Sequence, residues 1–521
     1  MDSRIKNGIR NIFAGFINKI VLIFLPFVTR TVIVYVLGSE YLGLGSLFSS
    51  ILMVLNLSEL GIGSALVYSM YKPVAEKDML KIKALLAVYK KIYAYIGVAI
   101  LAIGLCFLPF IHTIIKGDVP ASMNLYILYI MYLSNASISY FIFAHKKALL
   151  IAYQRSDVIS NVNTVLNICV YTVQIMVLLL LKDYYIYVAV FIFSTITENI
   201  IIGKKAQIHF PYIEADGRIS AEDKKVIIQH TKGIALQKVC STSRNSLDSI
   251  VISMFLGLNM IAIYSNYYYI MISIHNILYQ IPDSIRATVG NSVASESVDK
   301  NFRDFNCMYL LNMFICGWAT CFLYCMFQPF MELWMGPNMM FSQVSVVLVC
   351  LYFTLLSLAD VVALYKDAAG LWWYGRYRVL IEAIANLILN FVLGYFWGVN
   401  GILLATIITI ILIGHGYGGW IVFHYYFKGK SFMTFVMKQV GYLVMIAVAC
   451  YVTDFVCSFS LEILWIRLLS VGIITLFLSP ILLLIMYRFF PEFKDSVDFA
   501  KNILKSFKIA IGLLKIPQIS F

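Results

Sequence analysis

Charge is scarce in this chain. Asp, Glu, Lys and Arg make up 13% of its 521 residues, whereas 61% are hydrophobic. Soluble globular proteins are about half apolar and about a quarter charged, so this composition excludes a water-soluble domain and implies a polytopic membrane protein. The motifs of nucleotide and metal chemistry are also lacking. "KGKS" at 428–431 looks like the end of a phosphate loop, but the first glycine of that loop would fall at His424. The ten cysteines lie mostly in apolar segments and form no Cys-x-x-Cys pair, so they read as packing residues, with no disulfide and no metal. No cofactor is expected. The N-terminus "MDSRIKNGIRNIFAGF" has no small-residue cleavage site after a short apolar core and reads as the flank of a retained first helix.

What is present is a succession of long apolar runs. A membrane-spanning helix needs about 20 mainly apolar residues. With Gly, Pro and charge clusters as boundaries there are about fourteen such segments: 12–37, 42–70, 84–109, 123–145, 158–181, 185–203, 232–256, 260–286, 304–330, 341–365, 377–396, 400–426, 433–454 and 463–488. The net charge of +13 is informative through its placement. With Arg4, Lys6 and Arg10 on the cytoplasmic side, every second loop is basic: Lys72, Lys77, Lys81 and Lys83; Lys146, Lys147 and Arg155; Lys204, Lys205, Arg218, Lys224 and Lys225; Lys300 and Arg303; Lys366, Arg376 and Arg378; Lys428 and Lys430. The other loops hold little beyond Lys116 and Lys182. This alternation places both termini in the cytoplasm.

"LGSEYLGLGS" at 37–46 is glycine-rich, but its spacing is wrong for a phosphate loop, and it recurs. Leu37, Gly38 and Ser46 return 219 residues later as Leu256, Gly257 and Ser265. The echo continues: "KPVA" at 72–75 faces "NSVA" at 291–294, Pro109 matches Pro329, Lys146 and Ala148 match Lys366 and Ala368, and "NTVLN" at 163–167 matches "NLILN" at 386–390. In order and at nearly constant offset, these matches argue for two homologous halves. An even number of spans preserves orientation, so the halves are parallel repeats about an axis along the membrane normal, with a substrate path expected between them. The expected division is an N-lobe at 1–208 (helices one to six), a cytoplasmic linker at 209–231, a C-lobe at 232–426 (helices seven to twelve), two extra helices at 427–490 and a cytoplasmic tail at 491–521. In the tail, Lys501, Lys505, Lys508 and Lys515 share one helical face and predict an amphipathic helix lying on the inner membrane surface.

Several polar residues stand where hydrocarbon is expected. A charged residue at mid-bilayer costs about 2.5–3.5 kcal/mol on insertion scales. Helix seven carries Lys238, Arg244 and Asp248, and Gln237, Ser241, Arg244 and Asp248 follow helical spacing on one face. In helix one Lys19 and Arg30 are about three turns apart on one face. Helix eight adds His275, Tyr279, Asp283 and Arg286 along one stripe; Glu59, Glu198, Asp360, Glu382 and His415 are further intramembrane residues. Intramembrane ionisable groups mark substrate or ion pathways. Against that stands a structural role for each: Lys19 and Arg286 can snorkel to the inner surface, His275 and His415 can be satisfied packing residues, and Asp248, four residues from Arg244, can simply pair with it.

The stretch "LGSEYLGLGSLFSSILMVLNLSELGIGSALVYSMYKPVAEKD" (37–78) resembles the first-hairpin region of Wzx-type polysaccharide biosynthesis flippases, within the multidrug/oligosaccharidyl-lipid/polysaccharide exporter superfamily. The resemblance implies an all-α polytopic fold of about 14 transmembrane helices, with two six-helix lobes around a central cavity. It implies a non-enzymatic carrier in the bacterial cytoplasmic membrane that moves an undecaprenyl-pyrophosphate-linked oligosaccharide from the inner to the outer leaflet. The partners implied are that lipid, a coupling H+ or Na+, membrane lipids, and polysaccharide polymerase or glycosyltransferases, with no nucleic acid. Basic cavity residues would meet the pyrophosphate. Arg30, Lys238 and Arg244 fit by position, with His275, Lys19 and Arg286 as further substrate-binding candidates. Asp248, Glu59, Asp283 and Asp360 are the ion-coupling candidates. Family members that flip the peptidoglycan precursor line this cavity with several arginines; this chain has fewer, which weighs against that role. A cation-coupled multidrug or metabolite antiporter of the same superfold is the alternative, although such antiporters usually have twelve spans. A membrane glycosyltransferase or polymerase fits less well, because the external loops are short and no inner loop is long enough to form a core.

Overall fold

The computed structural model describes residues 2–56, 62–117, 119–220, 224, 246–371, 374, 375, 377–459 and 463–501; the side chains of 2–17 and 64 are not among those described. The regular elements among them are all helical. The first half contains α1 (Asp2–Val36), α2 (Ser39–Leu55), α3 (Ile62–Glu76), α4 (Met79–Phe107), α5 (Leu125–Phe141), α6 (Ala144–Ala152), α7 (Ser156–Leu180) and α8 (Tyr184–His209). The second half contains α9 (Ser246–Leu256), α10 (Leu258–Leu278), α11 (Gln280–Ser284), α12 (Arg286–Ser295), α13 (Val298–Met335), α14 (Gln343–Ala368), α15 (Arg378–Thr409), a π-helical stretch Ile410–Tyr417 and α16 (Gly418–Tyr425). Then follow α17 (Phe432–Cys457) and α18 (Leu464–Tyr487).

Among the described residues, nine helices are long and apolar enough to cross a membrane, and the pair α5–α6, bent by 54°, makes a tenth. One of the nine is the 48-residue run Arg378–Tyr425. At 1.5 Å per residue it is about twice the thickness of a bilayer core, so it must fold back. It does so at Gly398, whose φ of 57° and ψ of −135° leave helical space. Three residues on, a Cβ at Gly401 would lie 1.9 Å from the Leu393 carbonyl oxygen, so only glycine allows the two arms to close. The expected spans 377–396 and 400–426 meet at this hairpin. Helices α2, α3, α9 and α10 fall within the remaining expected segments, so each of the fourteen has a helical counterpart among the described residues; 57–61 and 232–245 of those segments lie outside them. One boundary differs. Segment 260–286 is helical as α10 only to Leu278. Pro282, four residues later, has no N–H to offer the Leu278 carbonyl, and the helix breaks there.

The repeat is visible in backbone geometry. Gly38 joins α1 to α2 with φ 119°, and Gly257 joins α9 to α10 with φ 82°; the following helices begin at Ser39 and Leu258, at the offset found in the sequence. Both positions demand a residue without a Cβ. The two turns also touch. A Cβ at Gly43 would sit 2.2 Å from the Leu258 carbonyl oxygen, and one at Gly45 would sit 2.6 Å from the Tyr184 hydroxyl. The glycines of "LGSEYLGLGS" are therefore packing glycines as well as a turn. From the 110–122 connection, Lys116 N donates to Ser253 O (3.1 Å) and Lys116 Nζ to Phe255 O (2.7 Å), tying that loop to the end of α9.

The chain divides into two compact units, Met1–Asn266 with Ala383–Ile402, and Tyr267–Glu382 with Leu403–Phe521. In the first, α1 lies along α7, where Asn18 Nδ2 donates to Thr164 Oγ1 (3.1 Å), and α4 and α8 flank α5. In the second, α13 is central and packs on α14, α17 and α18. Its N-terminal part carries an aromatic cluster of Phe305, Tyr309, Phe423, Phe427 and Phe435. The chain after α18 begins by docking: Lys438 pairs with Glu492, and Ser496 is fully buried. The surface helix expected over 496–515 lies outside the described residues beyond 501.

Candidate functional site

Six of the polar residues expected in the membrane, Arg30, Asp248, His275, Asp283, Arg286 and Asp360, fall into two clusters, one in each unit. The first is built on one turn of α10. Arg30, eleven residues after Lys19 on α1 and half-buried, donates from Nη1 to Ser265 Oγ (3.1 Å) and Asn266 Oδ1 (3.0 Å). The neighbouring Tyr264 donates its hydroxyl proton to Asp248 Oδ2 (3.1 Å). Asp248 is 1% exposed, and its Oδ1 accepts from Asn390 Nδ2 at 2.6 Å. Asn390 Nδ2 also lies 3.3 Å from Asn386 Oδ1, and both asparagines are fully buried on α15. Three consecutive residues, Tyr264 to Asn266, thus bind a carboxylate and a guanidinium from two different helices. The arrangement has chemical sense: a charge away from water is tolerated only when hydrogen bonds replace its hydration, and charge-assisted bonds are the strong ones. Two buried atoms of the cluster, Asn266 Nδ2 and Asn390 Oδ1, have no hydrogen-bond partner among the described residues.

The second cluster lies at the break between α10 and α12. His275 Nε2 is 3.2 Å from Asp360 Oδ2 of α14. Arg286 Nε meets Asp283 Oδ1 (3.0 Å), Nη1 meets Asp367 Oδ2 (3.0 Å), and Nη2 donates to the Tyr279 hydroxyl (2.8 Å). The stripe Tyr279–Asp283–Arg286 therefore converges, although the helix is interrupted between its members. Asp367 completes it and was not among the sequence candidates. With two carboxylates on one guanidinium, Arg286 is engaged within its own unit.

The other candidates fall as follows. Lys19 is exposed on α1. Lys238, Arg244 and Glu59 lie outside the described residues. His415 is buried, with Nε2 2.7 Å from the Leu355 carbonyl oxygen, as a satisfied packing histidine would be. Glu198 pairs with Lys147 (3.1 Å) and Glu382 with Arg378 (3.1 Å). Lys146, read as a loop charge, is buried and donates to Gln207 Oε1 (3.0 Å) and Ile213 O (3.3 Å). Residues 414–419, "GHGYGG", have the Gly-x-Gly-x-x-Gly spacing, but they lie in the π-helical stretch and α16 with no strand before them. A Cβ at Gly419 would meet the Phe432 ring at 2.8 Å, so this glycine serves helix packing.

No protein-family model matches the sequence, and no curated protein matches it either. Solved structures do. The lipid II flippase MurJ, in an inward closed conformation, aligns with a TM-score of 0.67 at 17% identity, covering 92% of this chain and 99% of that one. An inward-facing multidrug resistance MATE family transporter of the MOP superfamily aligns with a TM-score of 0.60 at 13% identity, covering 77% and 94%. The MATE transporter VcmN of Vibrio cholerae aligns at 0.56 and 11% identity, covering 83% and 98%. This chain has the fold of MOP-superfamily transporters. Those neighbours are carriers, in keeping with a multi-pass membrane protein built of apolar helices.

Proposed function

We propose that this protein is a flippase that moves an undecaprenyl-pyrophosphate-linked oligosaccharide from the inner to the outer leaflet of the bacterial cytoplasmic membrane by alternating access, for surface polysaccharide synthesis. The observation that carries the reading is Arg30. Arg30 stands six residues before the end of the apolar helix α1 and donates to Ser265 and Asn266; a guanidinium so placed suits a diphosphate, whose own charge cannot cross hydrocarbon uncovered. The fold shared with a lipid II flippase over 92% of this chain is compatible with a lipid-linked substrate. It leaves the sugar unspecified.

In this reading Arg30, together with Lys238 and Arg244, receives the headgroup, and Asp248 couples transport to H+ or Na+. Its carboxylate is buried and is held by the Asn390 amide and the Tyr264 hydroxyl, and an acid at such a place is suited to exchange a proton or a small cation for those donors. The buried acid also favours the second reading, a cation-coupled antiporter, because cationic cargo needs an anion. The two differ at Arg30. Arg30→Ala and Arg244→Ala should abolish surface polysaccharide while the protein still reaches the membrane, and Arg30→Lys should partly restore it, since charge is kept but the bidentate fork is lost. Normal polymer output from both alanine variants would sink the flippase.

A further inference from the structure

We propose that the inner end of α16 and the loop that follows it form a binding site for the phosphodiester headgroup of an anionic phospholipid of the inner leaflet. The proposal goes beyond the transport reading. It uses only the inward assignment of this end, not the identity of the cargo.

The site is a cavity of about 250 Å³ lined by Trp420, His424, Lys428, Gly429, Lys430 and Phe432. One wall is an aromatic ladder. Tyr417, Trp420 and His424 stand three and four residues apart, on one helical face. Their rings are nearly parallel: Tyr417 and Trp420 are 5.9 Å apart at 15°, and Trp420 and His424 are 4.7 Å apart at 14°. Stacking against one another fixes the rings before any ligand arrives. At the end of the ladder the chain reverses at Gly429, with φ 83°, and returns through a bond from Lys430 N to Phe427 O (3.0 Å). This reversal places two lysines at the mouth.

The two lysines differ. Lys430 Nζ is 2.5 Å from Asp299 Oδ1 and 5.3 Å from the Phe302 ring centroid, so it is held and its charge matched. Lys428 is exposed and has no acidic partner among the described residues. The ligand must therefore be an anion that meets Lys428 and lies against aromatic rings. The rim separates a lipid from a soluble anion. Trp420 of the lining is 39% exposed, Tyr417 stacked on it is 39% exposed, and Met433, next in sequence to the lining Phe432, is 67% exposed. This is an apolar and aromatic collar of the kind found at the boundary between headgroups and acyl chains. A free phosphate has no use for such a rim, whereas the glycerol and first methylenes of a phospholipid do. Anionic lipids give the cytoplasmic leaflet its negative potential, and basic pockets beside transmembrane helices on that side bind their headgroups.

The test uses the full chain reconstituted into bilayers that contain lipid brominated near the headgroup, which quenches tryptophan fluorescence on contact. The chain has seven tryptophans, so the contribution of Trp420 is the difference between the native protein and Trp420→Phe. We expect brominated phosphatidylglycerol to be preferred over brominated phosphatidylcholine at Trp420 by about fivefold, the factor for one lysine near an anionic surface. The preference should vanish in Lys428→Gln and persist in Lys428→Arg. Because Lys428 is exposed, both variants should elute like the native protein in gel filtration. Inorganic phosphate at millimolar concentration should leave the preference unchanged. Loss of the preference on adding phosphate would assign the site to a free phosphoanion and overturn the lipid. Equal quenching by the two lipids in the native chain, or an undiminished preference in Lys428→Gln, would overturn the site itself.

Discussion

The bond between Asn390 and Asp248 makes a prediction that can be worked through in energy. Asn390 is fully buried, and its Nδ2 lies 2.6 Å from a carboxylate that is 1% exposed. Asn390→Leu keeps the branched four-atom skeleton of the side chain, though with bulkier methyl ends, and removes the donor. A hydrogen bond to a charged group contributes about 1.5–3 kcal/mol, and one between neutral groups about 0.5–1.5 kcal/mol. Asn390→Leu should therefore destabilise the native protein by about 2 kcal/mol, with Tyr264 still donating to the other carboxylate oxygen. In an Asp248→Asn background the same change meets a neutral partner and should cost about 1 kcal/mol. The difference, about 1 kcal/mol, is the coupling energy of a double-mutant cycle, measurable by denaturant titration of the detergent-solubilised full chain at neutral pH. If the two substitutions add to within about 0.5 kcal/mol, as distant sites do, Asp248 is not charged in the resting protein. The reasoning that treats it as a hydrogen-bonded anion would then fail.

Two further predictions concern packing. Gly43→Ala places a methyl group 2.2 Å from the Leu258 carbonyl oxygen, an atom of backbone that cannot swing aside, so α2 and α10 must part at a cost of about 1–3 kcal/mol. Gly290→Ala, in α12 with nothing within 4 Å, should instead be neutral or stabilise by up to about 1 kcal/mol, as the better helix former; thermal melts of the two variants should differ in sign. Cys321 and Cys450 have sulfurs 3.4 Å apart across α13 and α17, close to disulfide range. A membrane-permeant thiol oxidant should link them in a chain that retains only these two cysteines. The link should be read as a single tryptic crosslink by mass spectrometry, absent in Cys450→Ser, and failure to form it would contradict the packing of α17 on α13.

The fold was open to reading because the bilayer imposes so few solutions. Apolar length fixes the spans, and lysine and arginine in alternate loops order them. The hairpin at Gly398 was marked by a break in hydrophobicity over "WGVN", and the repeated turn by glycines that proved to have positive φ at both copies. The early end of α10 could also have been found, since Pro282 stands inside the expected span. The division into units could not. Residues 383–402 cluster with the first 266 residues, and nothing in a one-dimensional pattern says which neighbours a span will choose. The buried Lys146 illustrates the same limit: a charge in a basic loop reads as solvated until Gln207 and the Ile213 carbonyl are seen to surround it.

At the site the sequence revealed charge but not its partners. Arg30 and Asp248 stand out because ionised groups are expensive in hydrocarbon. Asn266, Asn386 and Asn390 are neutral and cost far less, so they pass as ordinary residues of an apolar helix. Asn386 and Asn390 were visible as the ends of "NLILN", four apart and hence on one face, but served only to mark the repeat. What the structure adds is adjacency. Tyr264 holds Asp248, and the next two residues hold Arg30. Successive residues on a helix point about 100° apart, so a rotation or shift of α10 that favours one contact must disturb the other. On the proposed reading, diphosphate at Arg30 and a cation at Asp248 would each bias the same helical turn. Linkage then requires that each ligand alter the affinity for the other by the same factor, and that reciprocity is what a carrier needs to exchange an ion gradient for movement of its cargo.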